Sequence, residues 1–183
     1  RIHLVGGAGV LGRDGQARNK ALVFSPAGEL VASYAKRRLF RPGGEHNHYR
    51  AGEKPVVFEV GECRVSPLVC YDLRFPELFR EVAAAHRPEL FVVIANFPAK
   101  RSMHWVRLLQ ARAIENQAYV MGANRIGSDP YNDYDGRSVI VDPQGEILAD
   151  GGTTEGMICA DLDLEQLRKY RQALPFLNDL RLK

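Results

Sequence analysis

The chain has no stretch approaching the roughly 18 consecutive apolar residues of a membrane-spanning helix, and its first residues lack the charged, apolar and small-residue series of a signal peptide. The expectation is a cytoplasmic protein without a membrane partner. Cysteine is scarce: three residues with no Cys-x-x-Cys spacing exclude a disulfide framework and a zinc knuckle. Reduced thiols remain, and one of them can be a nucleophile. Charge of one sign is also lacking, since 25 basic against 22 acidic residues leave a net +3. The single short basic cluster, Lys36-Arg37-Arg38 with Arg41, is too small for a nucleic-acid footprint. An initiator Met is missing too; Arg1 to Gly12 opens in mid-pattern, as though preceding structure had been removed. What is present is ordinary for a folded domain, with 45% hydrophobic, 26% charged and 9% aromatic residues. A chain of 183 residues fits one domain and buries about 70% of its unfolded surface.

Two segments share a pattern: Leu22-Val-Phe-Ser-Pro-Ala-Gly-Glu-Leu-Val-Ala32 and Val139-Ile-Val-Asp-Pro-Gln-Gly-Glu-Ile-Leu-Ala149. In each, β-favouring residues flank a Pro-x-Gly-Glu turn, which predicts a hairpin used twice. Two copies are too few for a solenoid. Between them the sequence predicts strands over 56–60, 63–70 and 90–97, a helix over 102–117 and a strand over 118–126. The helix gains an apolar face from Trp105, Leu109 and Ala113. Residues 128–136 read as a turn-rich loop, 157–162 as a last strand and 164–174 as a last helix. The fold class is α/β or α+β with layered packing.

Cys70 ends a strand run and precedes Tyr71-Asp-Leu-Arg-Phe-Pro-Glu77, where Pro76 and Glu77 suit the first turn of a helix. A thiol at a strand-to-helix turn lies near helix N-terminal amides, which favour the thiolate and can hold an oxyanion. Cys63 and Cys159 sit inside strand patterns and read as packed thiols. Lys36 closes a strand; alone it reads as a solvated lysine, and near Cys70 it would lower the thiol pKa and steady an oxyanion. The His-x-His of Glu45-His-Asn-His48 is a weak metal signal, so no metal is expected. Arg74, four residues after Cys70, can offer a bidentate fork to a carboxylate or pair with Asp72 to steady the turn.

Tyr34-Ala-Lys-Arg-Arg-Leu-Phe40, Ala51-Gly-Glu53, Leu68-Val-Cys-Tyr-Asp-Leu-Arg-Phe-Pro-Glu77, Ala95-Asn-Phe-Pro98, His104-Trp105 and Arg112-Ala-Ile-Glu-Asn-Gln-Ala-Tyr-Val120 together resemble the successive signatures of the nitrilase superfamily of carbon–nitrogen hydrolases. Within it the chain is most similar to the ω-amidase-type branch, which acts on 2-oxoglutaramate and 2-oxosuccinamate. The resemblance implies a four-layer αββα sandwich, residues 1–183 forming the C-terminal two thirds or so of one such domain, and a homodimer. It implies Cys70 as nucleophile, Lys36 as catalytic lysine, Glu45 as an additional active-site carboxylate and the backbone N–H of Tyr71 as oxyanion donor. Arg74 would receive the carboxylate of a small amide substrate and Phe97 would wall its pocket, with no cofactor. The family's general-base glutamate ends an early strand. Glu77 lies just after the nucleophile and Glu89 precedes its strand, so neither fills that place and the base is expected on a preceding segment.

Overall fold

Three antiparallel strands, β1 (Leu4–Leu11), β2 (Ala17–Phe24) and β3 (Leu30–Ala35), form one sheet in the order β1-β2-β3. The structure, a computed structural model, describes residues 2–181. The chain then builds a larger sheet from β4 (Phe58–Val60) and β5 (Cys63–Val69), separated from β6 (Leu90–Ala95) by helix α1 (Pro76–His86). Helix α2 (Ser102–Asn116) leads to β7 (Tyr119–Asn124). A two-stranded excursion, β8 (Ile126–Ser128) with β9 (Asp133–Asp135), precedes β10 (Val139–Val141), β11 (Ile147–Asp150) and helix α3 (Leu164–Ala173). The six-stranded sheet runs β11-β10-β7-β6-β5-β4, and its centre, β5 to β7, is parallel because helices make the crossovers.

Layering follows from which faces are apolar. Phe79, Val82, Trp105, Leu109 and Ala113 on the helices meet Leu68, Phe91, Val93 and Val120 of the sheet. On the opposite face Val69 and Ile94 meet Ala21, Tyr34 and Val5 of the first sheet. The mixed α/β class is as expected, and the described residues supply three consecutive layers, helices, sheet and sheet. Helix α3 covers the far end of the larger sheet, where Leu167 packs on Val65, Leu90 and Tyr119. Among the described residues no helix is long and apolar enough to cross a membrane.

The two Pro-x-Gly-Glu hairpins are built alike. Ser25 Oγ accepts from the N–H groups of Ala27 and Glu29, and Asp142 Oδ1 accepts from those of Gln144 and Glu146. Gly28 (φ 84°) and Gly145 (φ 91°) take the left-handed position that a side chain would strain. Each hairpin has a register irregularity beside its turn, at Val23/Phe24 and at Ile140/Val141.

Other expectations need correction. Residues 157–162 pair with no strand, and Cys159 is exposed rather than packed. The run over 118–126 breaks at Arg125, whose N–H donates to the Ala95 carbonyl outside any ladder. The glycine-rich opening, which had no assigned element, is the edge strand β1.

Gly122 of β7 lies under α2, and a Cβ there would stand 2.4 Å from Leu109 Cδ1 and 2.7 Å from Trp105 Cζ2. Gly122→Ala is expected to lower stability by about 1–3 kcal/mol through overpacking. Urea denaturation beside the parent protein measures it, and an unchanged midpoint would contradict this packing.

Candidate active site

The ends of β5 and β6 and the hairpin layer border an open cavity of about 1240 Å³, lined among others by Lys36, Glu45, Cys70, Tyr71, Arg74 and Phe97. All the residues predicted from sequence thus meet in one place, although β3 and β5 belong to different sheets. Cys70 opens a 3-10 turn, Cys70–Arg74, with φ at 48°. That left-handed backbone is uncommon for a residue with a Cβ. It turns the chain sharply out of the strand, and the sulfur lies 3.9 Å from the Asn96 carbonyl oxygen. Burial pushes the Cys70 thiol up, while the Lys36 ammonium pulls it down. The thiolate that the turn alone would favour is therefore opposed by dehydration of the site.

Lys36 is not the solvated strand-end residue that sequence alone suggests. It is 3% exposed, and its Nζ donates to Glu45 Oε2 at 2.6 Å. The same oxygen accepts from the Phe40 N–H at 2.6 Å, and Oε1 accepts from Asn19 Nδ2 at 2.9 Å. Burial acts to raise the Glu45 pKa, but these donors outweigh it and hold the carboxyl below its ordinary value. Glu45 is the one carboxylate among the described residues lining the cavity. His46 and His48 beside it are exposed.

Asp72 was missed as a site residue. Its Oδ2 accepts from Tyr34 Oη at 2.8 Å and from the Val69 N–H at 3.1 Å, and its Oδ1 accepts from the Arg38 N–H at 2.8 Å. It therefore fastens the Cys70 turn to the strand that carries Lys36. Burial drives its pKa up to about 6 against the pull of those donors. An acidic residue in the first turn after a strand was the available capping signal, but its partner Tyr34 lies 38 residues away.

Asp72 is thus occupied, and the alternative of an Asp72–Arg74 ion pair is not what forms. Arg74 instead lies over the Phe97 ring, 5.4 Å from its centroid, and its Nη2 is 3.2 Å from His104 Nδ1. Phe97 is buried and held by Asn124, which accepts from its N–H at 2.7 Å and donates to its carbonyl at 3.1 Å. Tyr71 packs edge-on between Phe40 and Phe75. Cys63, half-buried and far along β5, has its thiol raised to about 11 by burial and by Glu89. Glu77 pairs with Arg38 and Glu89 with Arg64, and neither lines the cavity.

Parallel strands that bring a thiol on a sharp turn and a buried lysine–carboxylate pair to one cavity define an α/β protein of stacked sheets with a candidate active site. The chain belongs to the carbon–nitrogen hydrolase family, the nitrilase superfamily, whose sequence profile matches residues 1–172. It is 44% identical over 178 residues to the omega-amidase YafV of Escherichia coli K12, covering 96% of this chain and 68% of that protein. It is 37% identical over 180 residues to the 2-oxoglutaramate amidase of Bacillus subtilis 168, covering 98% and 69%. In structure it is similar to XC1258 of Xanthomonas campestris, a CN-hydrolase superfamily protein crystallised with an arsenic adduct in the active site, with a TM-score of 0.92, 33% identity and coverage of 99% and 70%.

Asp72→Asn is expected to weaken the protein by about 1–3 kcal/mol, because either orientation of the amide sets its NH2 against a buried backbone N–H. The Asp72 carboxyl is raised from 3.8 to about 6, so its titration favours the fold most below pH 4 and that contribution is lost as pH rises through 6. The Asn variant should lack this component of the pH dependence. Chemical denaturation across pH 4–8 measures both effects; parallel curves for the two proteins would refute the assignment.

Proposed function

We propose that the protein hydrolyses the terminal amide of a small carboxylated amide, of the 2-oxoglutaramate or 2-oxosuccinamate type, to the acid and ammonia through a cysteine thioester. The observation that carries the reading is the joining of Cys70, the Lys36–Glu45 pair and Arg74 in one cavity. The names and similarity of the two amidase relatives support the substrate class.

In this reading the Cys70 sulfur attacks the amide carbon, and the carbonyl π electrons move to oxygen. That oxygen is held by Lys36 Nζ and the N–H of Tyr71. Removal of one such donor typically costs about 3–4 kcal/mol of transition-state stabilisation. As the oxyanion collapses, the C–N bond breaks, the nitrogen takes a proton and ammonia leaves the thioester. Water then adds to the thioester carbon and expels the thiol. Glu45 fixes the Lys36 ammonium, since its oxygens already accept from Lys36, Phe40 and Asn19. The proton relay needs a carboxylate with a free oxygen, which by family resemblance is a glutamate other than Glu45, Glu77 and Glu89.

Arg74 receives the substrate carboxylate. It has no carboxylate partner among the described residues, unlike Arg37, Arg38, Arg64 and Arg137, and the cavity's other cations include Lys100 and Arg101. Phe97 walls the same pocket. No cofactor is invoked. We place the activity in a single catalytic domain, in the cytoplasm and in a homodimer, without a nucleic-acid or membrane partner, on the strength of family resemblance. The alternative of a non-catalytic nitrilase-fold binding protein is favoured by one observation, that the single carboxylate among the described lining residues is already engaged.

Ammonia release from 2-oxoglutaramate by the full-length protein decides between these readings. Cys70→Ala should reduce it to background, whereas Cys63→Ala and Cys159→Ala should retain most of it. Binding of the amide without ammonia release by the parent would establish the binding reading. Arg74→Lys keeps the charge but loses the fork, so kcat/KM for 2-oxoglutaramate should fall about tenfold with pentanamide, an uncharged amide, little affected. An equal fall for both substrates would make Arg74 structural.

A further inference from the structure

We infer that His104 is a positioning residue for substrate selectivity: a neutral imidazole that holds the Arg74 guanidinium over Phe97 with its remaining N–H groups available to an anionic ligand. The inference rests on the carboxylate-binding reading of Arg74 and extends it to a residue that makes no contact with substrate.

An arginine side chain carries five N–H donors and no acceptor. A hydrogen bond between Arg74 Nη2 and His104 Nδ1, at 3.2 Å, therefore requires Nδ1 to be the acceptor and the ring proton to sit on Nε2. The pair is exposed at the rim of the cavity, whose charged lining on the Arg74 side is cationic. Lys100 and Arg101 line the same cavity, and the nearest lining carboxylate, Glu45, is committed to Lys36. A carboxylate at position 104 would cancel the charge that the ligand needs, and an ammonium would repel the guanidinium. A neutral acceptor fixes Arg74 without neutralising it.

The imidazole is itself well placed for this. His104 lies in the first turn of α2, next to Trp105, which is fully buried and donates from Nε1 to the Arg137 carbonyl at 2.8 Å. Trp105 also packs on Phe97, with ring centroids 5.3 Å apart. One helical turn thus supplies the ring that supports Phe97 and the nitrogen that holds Arg74. Fixing the fork in advance avoids the ordering of a long side chain on binding, which otherwise opposes affinity.

The experiment compares KM and kcat for 2-oxoglutaramate and pentanamide in the full-length protein, with melting temperatures, for His104→Ala, His104→Asn and Arg74→Lys. His104→Ala should raise KM for 2-oxoglutaramate about tenfold, the scale of a hydrogen bond to a charged group. It should leave kcat, the pentanamide constants and the melting temperature nearly unchanged. His104→Asn, whose Oδ1 can replace Nδ1 as acceptor, should restore KM to within about twofold. The inference is overturned if Asn fails to rescue, or if both substrates and the melting temperature fall together in His104→Ala. If Arg74→Lys loses selectivity and His104→Ala does not, the role of His104 fails while that of Arg74 stands. If neither changes selectivity, the carboxylate-binding reading itself falls.

Discussion

Asp72 accepts hydrogen bonds from donors in two distant parts of the chain, Tyr34 Oη and the Arg38 N–H on one side and the Val69 N–H on the other. Lys36 lies between the first two donors in sequence, and Cys70 follows the third. The relative position of ammonium and sulfur is therefore set by a carboxylate that does not line the cavity. Apolar contacts between stacked sheets are non-directional. A directional, buried ionic anchor adds the constraint that packing of Ala21, Tyr34 and Val69 does not provide.

The arginines divide by what faces them. Arg137 pairs with Asp150 and Arg64 with Glu89, and such partners leave little field at the surface. Two arginines that line the cavity face aromatic rings instead: Arg74 over Phe97 and Arg101 over Phe40. A ring face attracts a cation without cancelling its charge, so the guanidinium is located and yet remains available. Arg125 combines both arrangements, with Tyr134 at 4.6 Å from its charge centre and Asp129 as an ion partner at 3.6 Å.

Much of the layout was legible because its causes are local. The repeated turn declares itself by Pro, Gly and a leading Ser or Asp whose side chain caps the turn. The Cys70 turn declares itself by a strand run followed by Pro76. What stayed hidden depends on contacts far apart in sequence. Asn124 looks like a strand residue, and only the arrival of Phe97 and Gly136 at its side chain makes it a clamp. His104 is a helix residue until Arg74, 30 positions earlier, reaches it. The difference at 157–162 has the same source: a short apolar run promises a strand, but a strand needs a neighbour edge. The glycines of β1 obscured a strand that exists because β2 supplies that edge across its whole length.

The left-handed backbone of Cys70 sets folding and the proposed chemistry at odds at one position. Among the described residues, Arg87, Gln117 and Arg137 adopt similar positive φ angles; the first two do so as C-caps of helices, where that geometry closes hydrogen bonds, and Arg137 does so in the loop before β10. At Cys70 it aims a sulfur. A non-glycine residue held this way costs about 1–2 kcal/mol, which glycine would recover. A laboratory population selected only for resistance to heat would accordingly drift toward glycine at position 70 and yield a sturdier chain without its thiol.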